Sequence, residues 1–329
     1  MMNPPVPPRL VRRIVRDPIY AVGAPLVMLL LILLGAIVWV LEIPSRRKRG
    51  WRLLWTSAAA VLLDWSVFLR CVWLWCAMPP WRRDEQEWQA RHVLVLGQEL
   101  HRFVLAADRL VGLDLRVKVP TADPSRPVLL LARHAGPGDS LLMAYVITHD
   151  LLRIPRILLK RALLWDPAMD LCLGRLDAYF IGSGLPREER DRQLREFAEH
   201  VQVGDATLLF PEGRNWTPGR HAEEFSEAVE DGELERAHWL RRNPRVLSPR
   251  STGVRRMLAA RPDSQVMIAG HQGLEDLVSP MVIWRSLPFN RQIHIDVRPV
   301  APPTDELVDD WLQAEWERLD DWTDALDGD

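Results

Sequence analysis

The chain has 329 residues, a formal net charge of −2 and three cysteines. This length exceeds one ordinary core, so a large domain with an appended segment is expected. The near-neutral charge argues against a general nucleic-acid binder. Cys71, Cys76 and Cys172 are too few for a disulfide framework or a metal site, and they favour a reducing compartment.

Two long apolar stretches near the N-terminus predict membrane association. Residues 19–43 are apolar except for Glu42, and this stretch is long enough to span a bilayer. Residues 53–78 are interrupted by Asp64 and Arg70 and are rich in tryptophan, which favours the headgroup boundary. We expect three parts: a basic tail over 1–18, a membrane-embedded helical segment over 19–80, and a domain over 81–329 ending in an acidic helix.

Basic clusters flank both apolar stretches and bear on how they sit in the bilayer. The clusters are Arg9 to Arg16, Arg46 to Arg52, and Arg82 with Arg83. A fully spanning hairpin would place the middle cluster outside, against the positive-inside tendency. Two helices dipping into one leaflet keep all three near cytoplasmic headgroups. A shallow hairpin at the cytoplasmic side of the inner (plasma) membrane is therefore expected.

Helical and strand patterns alternate beyond residue 84. Helices are expected over residues 85–113, 140–152, 187–203 and 221–242, followed by a closing helix with Trp311, Trp316 and Trp322. Strands are expected over 113–119, 128–131, 156–160, 178–181, 206–210, 266–269 and 293–297. This alternation predicts an α/β domain with a mainly parallel sheet flanked by helices.

A polar loop follows the second predicted strand. It carries His134, Gly136, Gly138 and Asp139, and Asp139 with Ser140 is placed to cap the next helix. An aspartate that accepts a hydrogen bond from one imidazole nitrogen fixes the tautomer and makes the other nitrogen a better base. The spacing alone equally fits a histidine that is hydrogen-bonded locally, so a second motif is needed.

The second motif is the loop Phe210–Arg214, which follows the fifth predicted strand. The carboxyl ends of parallel strands converge on one crevice in doubly wound sheets, so this loop and the His134 loop are expected to face one site. A buried Glu212 would need partners, which Arg214 or backbone N–H groups can supply. By itself the segment is an ordinary turn.

Together these motifs resemble the glycerolipid acyltransferase superfamily, which includes the 1-acylglycerol-3-phosphate acyltransferases. The resemblance covers roughly residues 128–269. It rests on Arg133-His134 with Asp139, on Phe210–Gly213, and on Lys160, Pro167 and Phe180-Ile181, which fall where the family carries its middle motif. Leu247–Gly253 is similar to a segment of the branch that includes lysocardiolipin and lysophosphatidylinositol acyltransferases.

Three positions depart from the family pattern. Asp177 stands where the middle motif usually has glycine, and Ser183 where it usually has an arginine thought to hold the substrate phosphate. The third motif normally continues Gly-Thr-Arg, whereas Gly213 is followed at once by Arg214 and Asn215. The group that binds the acceptor's phosphate has to be sought elsewhere.

The resemblance implies an acyltransferase domain over residues 81–329, in an enzyme of phospholipid biosynthesis. It would move a fatty acyl group from acyl-CoA or acyl carrier protein to the free hydroxyl of 1-acylglycerol-3-phosphate or a related lysophospholipid. The implied partners are the membrane lipid and the thioester donor, with no nucleic acid, no metal and no cofactor besides this co-substrate.

The resemblance and the residue chemistry together suggest a role for each candidate. His134 would be the base and Asp139 its orienting partner, while the amides of Gly136 and Gly138 would approach the oxyanion. Glu212 and Gly213 would shape the acceptor pocket. The cations available for the phosphate are Arg214, Lys160 and Arg250, with Arg214 favoured because of its loop.

Two other classes of function remain open. Gly138-Asp139-Ser140-Leu141 spells the nucleophile motif of a family of serine lipases and esterases, with Ser140 as nucleophile. That family pairs its serine with an Asp-x-x-His near the C-terminus, and this spacing does not occur after Ser140. The second of these classes is a non-catalytic, membrane-anchored scaffold. The intact His134 and Asp139 pair argues against it.

Overall fold

The computed structural model describes residues 6–136, 138–181, 187–273, 275, 279–304 and 307–327. The chain forms two compact units, each assembled from separate segments. Unit 1 comprises residues 1–114, 144–193 and 284–291, and unit 2 comprises residues 115–143, 194–283 and 292–329. Ser183, where the family arginine is missing, lies outside the described residues.

The helices begin and end as follows. In chain order they are α1 (Arg9–Leu41), α2 (Arg49–Ala77), α3 (Glu85–Val111), α4 (Asp139–Tyr145), α5 (Pro167–Cys172), α6 (Arg187–Glu199), α7 (Pro218–Glu230), α8 (Leu234–Arg242), α9 (Ser251–Ala260), α10 (Pro280–Ser286) and α11 (Val308–Asp327). The strands are β1 (Leu113–Lys118), β2 (Val128–Ala132), β3 (Ile154–Lys160), β4 (Tyr179–Ile181), β5 (Asp205–Leu209), β6 (Gln265–Gln272) and β7 (Arg291–Val300).

Unit 2 is built on a sheet with the strand order β1-β7-β6-β2-β5. Strand β2 runs parallel to both of its neighbours, β5 and β6, whereas β7 is antiparallel to β6. Every residue of Val128–Ala132 is at most 1% exposed, as expected for an all-apolar strand covered on both faces. In unit 1, β3 and β4 are also parallel. The prediction of a mainly parallel sheet flanked by helices is confirmed.

The C-terminal helix α11 packs closely on β6. A Cβ placed on Gly270 would lie 2.7 Å from Leu319 Cδ1 and 2.9 Å from Trp322 Cζ3. Only a residue without a side chain allows this approach, so Gly270 determines how closely α11 covers the sheet.

The second apolar stretch belongs to the core of unit 1. Val67, Phe68 and Cys71 of α2 are buried with Val93 of α3 and Leu171 of α5. The predicted boundary at residue 80 therefore does not coincide with the edge of either unit. The physical reason is that α2 covers α3 and α5 with one apolar face.

Ion pairs connect the first turns of α1 to α5. The Asp170 carboxylate is 4% exposed and lies 2.5 Å from Arg12, 3.0 Å from Arg13 and 2.8 Å from Arg16. A buried carboxylate requires such partners, and removing one side of the network would leave charges uncompensated. The basic tail predicted as a separate segment is thus partly attached to unit 1.

Both charges that interrupt the second apolar stretch have partners. Asp64 accepts a hydrogen bond from the Tyr20 hydroxyl of α1. Arg70 pairs with Glu99 of α3 at 2.7 Å. Their partners reduce the cost of burying these two groups.

The polar segment over residues 221–242, predicted as one helix, is two helices. The chain turns at Gly232, whose φ is +74°, a conformation that glycine adopts without the steric cost a Cβ imposes. Helices α7 and α8 pack against each other across this turn. The helical periodicity was correct, but Asp231-Gly232 indicates a break that the prediction overlooked.

Asp177 occupies a left-handed position. Its φ is +52°, and glycine adopts that region most readily. This agrees with the resemblance, in which glycine is usual at this point. Gln89 donates a hydrogen bond of 3.0 Å to the Asp177 carboxylate.

Candidate active site

The loop between β2 and α4 brings His134 and Asp139 together. His134 Nδ1 lies 2.8 Å from Asp139 Oδ2, and the His134 ring stacks on the Phe210 ring with centroids 4.4 Å apart. Since an ionised carboxylate only accepts, Nδ1 carries the proton and Nε2 remains as the basic nitrogen. Within the described part of the chain, Nε2 makes no hydrogen bond.

Asp139 is fully buried, and one of its oxygens accepts hydrogen bonds from three consecutive residues of the loop. Its Oδ2 also accepts from the amides of Ala135 and Gly136, at 2.6 and 2.7 Å. Burial alone raises the pKa of this carboxyl, but the nearby His271 and the hydrogen bonds from His134 and Gly136 lower it well below its usual value. The Asp139 carboxylate is therefore ionised across the physiological pH range.

The Gly136 amide points at Asp139 rather than into open space. The expectation that it approaches an oxyanion is therefore not supported by this geometry, since a strong acceptor already binds it at 2.7 Å. A tight loop around a buried carboxylate takes the nearest amides first. Gly138, which directly precedes α4, is left as the proposed backbone donor.

The second loop follows β5 and lies against the first. The Trp216 amide donates a hydrogen bond to the His134 carbonyl. Gly213 has a φ of +71°, and its amide closes a turn onto the Phe210 carbonyl at 3.0 Å. The expected convergence of the loops after β2 and β5 is what the structure has.

Glu212 is directed into the protein. It is 1% exposed, and its Oε1 accepts a hydrogen bond of 3.0 Å from Trp316 Nε1 of α11. Burial raises the pKa of Glu212 to about 8, so this group is largely protonated at neutral pH. Glu212 supports the loop from behind, and the sequence alone did not indicate Trp316 as its partner.

The candidate phosphate-binding cations differ in their surroundings. The Arg214 guanidinium lies 3.2 Å from Glu223 and 3.4 Å from Glu224 of α7, so the favoured candidate is already paired with carboxylates. In contrast, the Arg250 guanidinium has no hydrogen bond or ion pair among the described residues, and its side chain is exposed. Lys160 is the exposed last residue of β3, in unit 1.

Arg250 lies beside the Glu212-Gly213 loop. Its amide donates to the Pro211 carbonyl at 2.9 Å, and a Cβ placed on Gly213 would lie 3.7 Å from Arg250 Nη1. An unpaired guanidinium at this edge is better suited to an incoming anion than one that must first leave two carboxylates.

Sequence reasoning missed the residues behind the two loops. Arg133 is fully buried and donates to the carbonyls of Arg245 and His271 and to Glu275 Oε1, the last at 2.7 Å. His271 is at the carboxyl end of β6, which extends three residues beyond its predicted end. The available signal was that His271 follows closely after the predicted strand 266–269, which lies beside β2.

The serine hydrolase alternative gains no geometric support among the described residues. Ser140 is exposed, and within the described residues its hydroxyl makes no hydrogen bond to a histidine. A serine nucleophile needs an adjacent base.

The described residues contain no cluster of three or more His, Cys, Asp and Glu side chains with the geometry of a metal site.

Glu212 makes stability depend on pH in a defined direction. Its pKa is about 8 in the folded chain against 4.5 for an ordinary glutamate. The contribution of protonated Glu212 to the free energy of unfolding is therefore fully present below the lower pKa. It is lost as pH rises through the higher pKa. In Glu212→Gln, which cannot ionise, the free energy of unfolding relative to wild type should rise by a few kcal/mol, roughly, between about pH 5 and pH 8.5.

Urea unfolding in detergent at several pH values measures this difference. Glu230→Gln, at the exposed end of α7, is the matched control and should follow wild type at every pH. Parallel pH curves for Glu212→Gln and wild type would contradict the assignment.

Comparison with known proteins places this geometry in a family. The model of the Acyltransferase family matches residues 114–283, just over half of the chain, whereas no curated protein matches it. The crystal structure of the 1-acyl-sn-glycerophosphate (LPA) acyltransferase PlsC from Thermotoga maritima resembles it with a TM-score of 0.52 and 16% sequence identity. The likeness, which is one of fold, covers 83% of this chain and 96% of that chain. The chain belongs to the Acyltransferase family.

Proposed function

We propose that this acyltransferase moves a fatty acyl group from a thioester, acyl-CoA or acyl carrier protein, to the free hydroxyl of 1-acylglycerol-3-phosphate or a related lysophospholipid. The observation that carries the proposal is the His134 and Asp139 pair on the carboxyl edge of β2, within the matched family region. PlsC, which has the same fold, is by its name a 1-acyl-sn-glycerophosphate acyltransferase.

The chemistry follows from the protonation of the pair. His134 Nε2 takes the proton of the acceptor hydroxyl as the oxygen attacks the thioester carbonyl, and Asp139 stabilises the imidazolium. The tetrahedral oxyanion is stabilised by backbone donors, for which Gly138 is the candidate. Collapse expels the thiolate, which receives the proton from Nε2. Direct attack requires no covalent intermediate on the enzyme, so Ser140 has no role.

The acceptor's phosphate needs a cation, and we assign Arg250 to it. The support is its guanidinium, which has no partner in the described part of the chain and lies beside the loop that carries Glu212 and Gly213. Arg214, favoured by the sequence, supports α7 through Glu223 and Glu224 instead. Lys160, the third candidate, belongs to unit 1 and is not part of this assignment.

The membrane proposal is a shallow hairpin, with the active site on the cytoplasmic side of the inner (plasma) membrane. Helices α1 and α2 are long and apolar enough to cross a bilayer by length and composition. Many large apolar side chains of α1 are exposed, including Ile19, Leu26, Leu33 and Ile37. One face of the C-terminal half of α2 packs on α3 and α5, whereas Val72, Trp73 and Trp75 of the same half are exposed. The shallow placement rests on the basic clusters, which it keeps near cytoplasmic headgroups.

The first test is the reaction itself. Purified wild-type protein in liposomes, given a panel of lysophospholipids and acyl donors, should form diacyl products identified by mass. His134→Ala should abolish transfer, and Asp139→Asn should lower kcat by on the order of 10²-fold or more. Ser140→Ala should retain activity. If only Ser140→Ala is inactive, the serine hydrolase alternative is correct.

The second test separates the two arginines. Arg250→Ala should raise KM for the lysophospholipid roughly 10- to 100-fold, the loss of a charge-assisted hydrogen bond, with little change in KM for the thioester. Arg250→Lys should recover part of this. Arg91→Ala, a surface arginine of α3 paired with Glu87 at 2.6 Å, is the matched control. A large KM effect in Arg214→Ala, with none in Arg250→Ala, would restore the sequence-based assignment.

The third test concerns topology. Ser45→Cys, combined with Cys76→Ser to remove the exposed native thiol, places one reactive cysteine between the apolar helices. An impermeant maleimide should label it only after cells are opened, because a shallow hairpin keeps this loop on the cytoplasmic side. Labelling of intact cells would show that the hairpin spans the membrane.

A further inference from the structure

A second histidine lies directly behind the candidate active site. His271 is the penultimate residue of β6, the strand beside β2, and its side chain is fully buried. A buried imidazole needs hydrogen-bond partners, and nothing in its own strand ladder requires a histidine there. Its contacts therefore indicate why the position is polar.

The His271 ring is directed at the backbone that precedes His134. Its Nε2 lies 2.9 Å from the Arg133 carbonyl oxygen and 3.5 Å from Asp139 Oδ2. Both of these oxygens are acceptors, so Nε2 carries a proton. Nδ1 is buried and has no hydrogen-bond partner among the described residues.

Arg133 returns the contact. Its Nη1 donates to the His271 carbonyl at 2.8 Å, and its amide donates to the Ala269 carbonyl at 3.1 Å. The ends of β2 and β6 are thus joined by side chain-to-backbone bonds in both directions. Trp216 secures the carbonyl on the other side of His134. The backbone of His134 is consequently held at both of its peptides.

We propose that His271 is a positioning residue, holding the peptide before His134 and the Asp139 carboxylate in the arrangement that presents His134 Nε2 to the acceptor. The inference rests on the proposed function and extends it. His271 keeps its proton and touches no reacting atom. The Nε2–H group of His271 lies close to the Arg133 carbonyl oxygen and to Asp139 Oδ2. These two oxygens determine the position of the His134 imidazole.

The electrostatics of Asp139 agree with this role. Burial raises the pKa of the Asp139 carboxyl, and the proximity of His271 is the largest of the influences that outweigh it. The carboxylate thus remains charged at a site that excludes water.

The test compares three substitutions at His271. His271→Leu removes the donor and should lower kcat roughly 10- to 100-fold through misalignment, with KM for both substrates within about twofold. In His271→Gln the side-chain amide reaches the position of Nε2, so most of kcat should return. The shorter side chain of His271→Asn does not reach the Arg133 carbonyl, so this variant should resemble His271→Leu.

His221 provides the matched control. Its Nε2 likewise lies 3.1 Å from two backbone carbonyls, those of Leu240 and Asn243, but it belongs to α7 and is not in the Asp139 loop. His221→Leu should leave kcat unchanged. An equal fall in kcat in His221→Leu and His271→Leu would mean a general loss of stability and would overturn the proposal.

A spectroscopic measurement keeps the inference independent of turnover. The His134 Nδ1–H proton should give a downfield resonance in the ¹⁵N-histidine spectrum of wild type, absent in His134→Ala. It should persist in His271→Gln and His221→Leu and shift or broaden in His271→Leu and His271→Asn. An unchanged resonance in folded His271→Asn would overturn the positioning role. Inactive wild type with the expected spectral changes would instead reject only the proposed function.

Discussion

The buried carboxylate of Asp139 is the constraint on which the site depends. A charge without access to water needs several donors, and one oxygen of Asp139 takes two amides and an imidazole N–H. Satisfying it folds the loop tightly, orients His134 and determines its tautomer. The same requirement removes Gly136 from the set of free amides, so one electrostatic need determines both the base and what can assist it.

The C-terminal helix α11 supports both loops of the site, although it lies far from them in sequence. Trp316 binds Glu212 of the second loop, and Asp320 accepts the Arg245 amide at 2.6 Å. The Arg245 carbonyl in turn binds the buried guanidinium of Arg133, next to His134. These buried polar groups satisfy one another's hydrogen-bonding capacity. They form a rigid hydrogen-bonded network behind the two loops of the site.

The prediction of strands, helices and the mainly parallel sheet succeeded because apolar periodicity is a local property. It placed β2 within one residue and located the loops that carry His134 and Glu212. The prediction failed at Gly232, where a turn interrupts a helical pattern that the periodicity alone presents as continuous. Periodicity also could not indicate which charged side chains meet, as for Arg214, whose carboxylate partners on α7 lie close to it only in the folded chain.

The sequence by itself determined the family, the apolar helices and the His134 and Asp139 pair, because each depends on residue type and short spacing along the chain. Only the tertiary structure decided that Gly136 is already bound, and that His271 and Trp316 stand behind the site. It also decided that Arg214 has carboxylate partners, whereas Arg250 has none among the described residues. Those facts depend on which side chains from distant segments meet. A buried hydrogen bond or ion pair requires its two groups to lie about 3 Å apart. For groups from distant segments, that separation is set by the packing of the whole fold and not by their spacing along the chain.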